Sequence, residues 1–156
     1  MFLSIPVKPF SVNQMYTRDL RFRSQAGTQW LANVFSFLST KQSQSELDKI
    51  RNTFDHTKHA FEIDLTFVYP KDVLFTKEGK ISSKAQDLSN CEKLIIDAIF
   101  DEKFKEKGYP YGCNNLGIND KHIISLCSRK QIGPEHEIQI RLKIVDLPNS
   151  DIDCKP

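Results

Sequence analysis

The run from Lys84 to Phe100, K-A-Q-D-L-S-N-C-E-K-L-I-I-D-A-I-F, constrains the fold more than any other stretch. Ser89 followed three residues later by Glu92 has capping-box spacing, and Asp87 puts negative charge where the first helical N–H groups are unpaired. A helix is therefore predicted to begin within a residue or two of Ser89. At about 100° per residue, Asn90, Lys93, Asp97 and Asp101 fall within an arc of roughly 80°. Leu94 and Ala98 border that arc on one side, and Ile96 and Phe100 on the other. A surface helix shows the reverse, a broad charged side and a single apolar stripe. The chain must cover most of this helix and leave one polar row facing a cleft, with Asp87 just beyond the N-terminus.

Two readings fit such a row. Charges at the edge of a core need partners, and a Lys one turn from an Asp supplies one, so the row can be a structural ion pair. It can equally be a site where carboxylates hold a divalent cation and an ammonium neutralises phosphate.

The remaining elements follow from periodicity. H-A-F-E-I-D-L-T-F-V-Y, residues 59–69, sets Phe61, Ile63, Leu65 and Phe67 on one face against Glu62, Asp64 and Thr66 on the other, which is a strand ended by Pro70. Trp30, Leu31, Val34, Phe35 and Leu38 recur at helical spacing and predict a helix over 25–38. Residues 2–8 read as a strand that Pro6 confines to a sheet edge or bulge. Residues 40–58 carry a weak apolar pattern at Leu47, Ile50 and Phe54, fitting a short helix or a mobile insertion. Residues 123–127 and 138–145 read as strands joined through the turn at Gly133–Pro134. Together these predict an α+β fold: one domain over residues 1–147, a mixed sheet with two main helices packed on it, and a flexible tail over 148–156.

Two polar connections carry basic residues. Residues 9–24 contain Asn13, Tyr16, Arg18, Arg21 and Arg23, a set suited to phosphate contact and stacking or to a plain surface loop. The loop over 71–85 carries Lys71, Lys77, Lys80 and Lys84 and leads into the Asp87 motif, where a phosphate-gripping segment would stand.

Composition narrows the class. At 156 residues, 39% apolar and 27% charged, the chain suits one soluble globular domain, and a net charge of +2 excludes a uniformly basic nucleic-acid coat. No apolar run approaches the ~20 residues of a membrane span. The N-terminus lacks a basic n-region and its apolar run is cut by Pro6, so no signal peptide is expected. Cys91, Cys113, Cys127 and Cys154 lack zinc-ligand spacing, which predicts reduced thiols and a cytoplasmic setting.

In their order along the chain these residues resemble the RusA family of Holliday junction resolvases, small dimeric Mg2+-dependent endonucleases of bacteria and their prophages. The resemblance covers most of the chain. P-F-S-V-N-Q-M-Y resembles the family's Pro-rich strand and following loop, and places Asn13 and Tyr16 there. The family's central Asp-x-Asp-Asn, then Lys, then Asp is matched by Asp87-Leu88-Ser89-Asn90, Lys93 and Asp97. Its acidic pair before a strand is matched by Asn119-Asp120.

The resemblance implies a structure-selective endonuclease acting on four-way DNA junctions in recombination and repair. It makes Asp87 and Asp120 metal-ligating carboxylates, with Lys93 the catalytic or phosphate-neutralising residue and Mg2+ (or Mn2+ in substitution) the cofactor. Ser89 stands where the family's second Asp falls; its hydroxyl can still coordinate Mg2+ but brings no charge. Asn90 and Asp97 would support the site, Asp97 by completing the shell or by holding Lys93. Arg18, Arg21, Arg23, Lys77, Lys80 and Lys84, with Asn13 and Tyr16, would contact branched DNA. A C2 homodimer is implied, since paired symmetric cuts need two equivalent sites; the strand over 59–69 and the apolar face of the helix over 25–38 are its two candidate interfaces. Loss of the Asp at 89 leaves a second possibility, a branched-DNA-binding protein with weakened catalysis.

Overall fold

Strand β2 (His59–Tyr69) is an interior strand of the sheet and is buried along most of its length. The computed structural model describes residues 1–16, 23–100 and 115–147, and within them β2 belongs to a four-stranded sheet in the order β1 (Phe2–Ile5), β4 (Glu137–Asp146), β2, β3 (Ile123–Ile132). The outer members are β1 and β3, and β4 lies between β1 and β2. β4 is antiparallel to both neighbours, whereas β3 is parallel to β2. The predicted α+β class with a mixed sheet therefore holds.

The helices are α1 (Val12–Met15), α2 (Gln25–Leu38), α3 (Lys41–Thr53), α4 (Lys71–Leu74) and α5 (Leu88–Phe100). The alternation in β2 is realised in its first half: Phe61, Ile63, Leu65, Phe67 and Tyr69 are buried and Glu62 and Asp64 are only partly covered, but Thr66, read on the polar face, is buried as well. A parallel β2–β3 pair requires a crossover, and α5 provides it. That position explains its composition, because Cys91, Leu94, Ile95, Ile96, Ala98, Ile99 and Phe100 are all buried. Each large side chain among them contributes roughly 1.5–3 kcal/mol.

Several expectations are corrected. β3 and β4 are not adjacent, since β2 lies between them, and β3 runs on to Ile132. The connection after β1 contains the one-turn helix α1, capped by the Ser11 hydroxyl accepting from the Asn13 N–H (3.2 Å). Among the described residues the long helices number three rather than two, because residues 41–53 form α3, capped by Thr40. Its polar sequence hides a stripe of Ser43, Leu47 and Ile50 that reaches the core. Of the two candidate dimer surfaces, the apolar side of α2 is buried in the chain's own core, and β2, paired on both edges, offers only its face away from the helices.

The start of α2 is fixed by close packing on α1. The Ser24 hydroxyl accepts from the Gly27 N–H (2.9 Å) and donates to the Gln14 carbonyl (2.6 Å). A Cβ at Gly27 would stand 2.7 Å from the Met15 carbonyl oxygen. Gly to Ala in a helix ordinarily stabilises by about 1 kcal/mol. Here the steric conflict with backbone reverses the sign, so Gly27→Ala should lower stability by about 1–3 kcal/mol in a denaturant titration.

His136 packs edge-on to Tyr69 with ring centroids 5.7 Å apart. Burial, then the Lys8 charge, holds its imidazole below the ordinary value of 6.5. The unfolded chain thus binds protons first as pH falls. Stability from this group is present above the unfolded value and is lost as pH drops through the lower, folded one. The melting temperature should therefore fall as pH drops below about 6.5, and His136→Gln should flatten that profile.

Candidate active site

The helix start is set by the Asp87 carbonyl, which accepts from the Cys91 N–H (3.2 Å). Ser89 thus lies within the first turn rather than at the cap. The Glu92 carboxylate does not turn back to complete a capping box; it accepts a hydrogen bond from the Ser128 hydroxyl on β3. This bond across the crossover holds one side of α5 against β3. Ser89, Glu92, Lys93, Ile96 and Asp97 form one wall of a cleft of about 460 Å3. Asp120, Ile123, Ile124, Ser125 and Leu126 form the other.

Asp120 is held there by its neighbours. The Leu116 N–H donates to the Ile99 carbonyl at the end of α5 (2.7 Å), and Arg51 of α3 donates to the Asn115 carbonyl (2.5 Å). Asp120 then opens a short 3-10 turn, Asp120–His122, capped by the Asn119 side chain accepting from the Lys121 N–H (2.9 Å). His122 rests edge-on against Phe54 (5.2 Å), which stacks on Phe61 of β2 (4.4 Å). Burial, followed by the Lys121 charge, holds the His122 imidazole below its usual range.

Lys93 pairs with Asp97 at 3.4 Å, with the lysine side chain 64% exposed and the aspartate 31%. Exposed i,i+4 pairs are worth only about 0.3–0.5 kcal/mol. The ammonium is therefore held in place yet can turn to an incoming anion at small cost.

The predicted residues divide into groups. Ser89, Lys93, Asp97 and Asp120 meet in one cleft. Asp87 is exposed two residues before Ser89, and neither it nor Asn90 lines the cleft. Asn13 and Tyr16 are exposed on and just after α1, a helix that packs against α5. Arg23 closes the base of its loop by a backbone bridge to Tyr16. Arg18, Arg21 and Asp101 lie outside the described residues, as do Cys113, Cys154 and the tail.

The lysine segment carries a regular turn. Phe75 bridges to Ile81, and Gly79 adopts φ +77° at the tip. Lys77 and Lys84, with Lys71, line a second cleft of about 810 Å3, while Lys80 is exposed on the turn outside its lining. Glu92 is the residue that sequence reasoning missed, having been assigned to the cap. Its spacing three after Ser89 and beside Lys93 was the available signal. Burial pushes the Cys91 thiol up to about 11, as befits a protonated core residue.

The donors in the α5–β3 cleft are carboxylate and hydroxyl oxygens, the set a hard cation takes. Among the described residues no three His, Cys, Asp or Glu side chains converge on one point. An ion here would rest on one or two carboxylates completed by water and phosphate oxygens, which is how Mg2+ is commonly held. No protein-family model and no curated protein matches the chain.

Support for the cleft and charge within it separate experimentally. Phe54→Ala should cost roughly 2–4 kcal/mol in a thermal melt by removing the stack under the Asp120 turn. Lys93→Ala should shift stability by less than about 0.5 kcal/mol.

Proposed function

We propose that the chain is a Mg2+-dependent, structure-selective endodeoxyribonuclease of the RusA type that cuts four-way DNA junctions. The observation carrying this reading is that α5 and the turn before β3 bring Lys93, Ser89, Asp97 and Asp120 to one cleft from two separate parts of the sequence. The motif order resembling that family joins this geometry, and the lysine segment running directly into α5 adds cationic side chains on the approach.

Hydrolysis of a phosphodiester needs an activated water and neutralisation of charge added in the transition state. A Mg2+ held in the cleft would supply both, by making a water more acidic and by neutralising phosphate charge. Asp120 and Ser89 line the cleft and would hold it, and Asp87, exposed two residues before Ser89 and outside that lining, would have to reach in from the rim. Lys93 leaves its weak pair with Asp97 and sets its ammonium on a non-bridging or leaving oxygen. Lys71, Lys77, Lys80 and Lys84 grip backbone phosphates, and a homodimer places two such clefts on a two-fold junction. A cytoplasmic setting in a bacterium or its phage belongs to this proposal.

The test uses a labelled four-way junction with Mg2+ or Mn2+. Paired nicks are expected from the wild type. Asp120→Asn and Asp87→Asn should abolish them while junction binding survives, and Lys93→Ala should lower the rate by about 100-fold or more with little change in affinity. Near-normal turnover in Asp120→Asn would overturn the assignment. The neutral Ser89 in the cleft favours a second reading, a junction-binding protein of weakened catalysis, and binding without nicks would select it.

A further inference from the structure

The helices cover one face of the sheet, and the opposite face holds a separate concavity of about 380 Å3 lined by strand residues alone. Register places Phe2, Arg141 and Asp64 side by side on β1, β4 and β2, and Gln139, Thr66 and Arg129 side by side on the next level. Gln131 completes the lining. Phe2 is 51% exposed. The Arg129 Nε–H donates to the Thr66 hydroxyl (3.1 Å), which leaves its remaining guanidinium donors for a ligand. Arg141 is exposed and pairs with no carboxylate among the described residues, although Asp64 is its register partner.

We propose that this outer face binds a short single-stranded nucleic-acid segment. The two arginines stand on strands separated by β2, hence about 10 Å apart across the sheet. Their long stems let the two guanidiniums take separate, neighbouring phosphates of an extended strand. Guanidinium forks match phosphate oxygens, and an exposed ring gives an unpaired base a surface to stack on. Gln131 and Gln139 each offer a donor and an acceptor to base edges, and Asp64 accepts from an exocyclic amino group. A duplex keeps its base faces stacked and would leave Phe2 idle. A second copy of the chain is disfavoured because the lining lacks the apolar centre of a stable protein interface. The inference stands on the sheet face alone, so it can fail while the cleft cleaves DNA, or hold while the cleft does not.

The experiment measures fluorescence anisotropy of labelled oligo-dT and oligo-U, about ten nucleotides long, with full-length protein in EDTA at about 50 mM salt. Arg129→Gln combined with Arg141→Gln should weaken binding at least tenfold and Phe2→Ala several-fold, with unchanged melting curves and unchanged junction cleavage. A loss on either oligonucleotide supports the proposal, and the difference between the two arms identifies the preferred sugar. Absence of binding by the wild type, or equal binding by wild type and variants, overturns it. So does a change in sedimentation without a change in oligonucleotide affinity, which would make the face a contact between copies. Should the double variant fail to fold, photocrosslinking of 5-bromouracil oligonucleotide to the wild type decides: adducts on peptides of β1 or β4 support the outer face, and adducts confined to the lysine segment overturn it.

Discussion

The burial of α5 against β2 and β3 is the constraint from which the rest follows. A parallel pair of strands cannot be joined by a tight turn, so the chain must leave the end of β2 and return across the sheet. Seven of the thirteen residues of α5 are buried, against the sheet and against α1 and α2. What remains polar is narrow and lies along the junction with β3, where Glu92 is bonded to Ser128. The cleft is thus a by-product of connectivity: a crossover helix and the strand it leads to form its two walls.

Its chemistry depends on how little the charges there are committed. Lys93 and Asp97 are solvated enough that their attraction is weak, and Asp120 projects from a turn supported by neutral packing under Phe54 and His122. A deeply buried ion pair would resist rearrangement, because taking one partner away leaves an uncompensated charge. Here the scaffold below is rigid and apolar while the polar groups above can exchange partners.

Much of this was legible in the sequence. The strand over 59–69 and the helix over 25–38 were readable to the residue, because each is long and keeps one period throughout. The polar row on α5 was readable from its apolar borders; the meeting of Lys93 with Asp120 was implied by the family resemblance, which also put Asp87 there, a residue the cleft lining does not include. Other features were not. α3 is mostly polar, and its few core contacts give too faint a pattern. The separation of β3 from β4 cannot be read locally, since the turn at Gly133–Pro134 fits a hairpin as well as a step over β2. Glu92 was misplaced because Ser and Glu three apart satisfy a capping pattern whether or not the helix begins there. Its tertiary partner Ser128 has no sequence signature.

The two borders of the sheet are treated differently. β1 is four residues long and is followed at once by Pro6, so it offers little to a passing chain. β3 is ten residues long, has no proline, and leaves Ile124, Leu126 and Ile132 exposed. What discourages uncontrolled strand addition there is the adjacent positive charge of Arg129 and Lys130. Colloidal behaviour of the protein is therefore tied to those two cations, and raising ionic strength, which screens them, brings the chain nearer to association along that border.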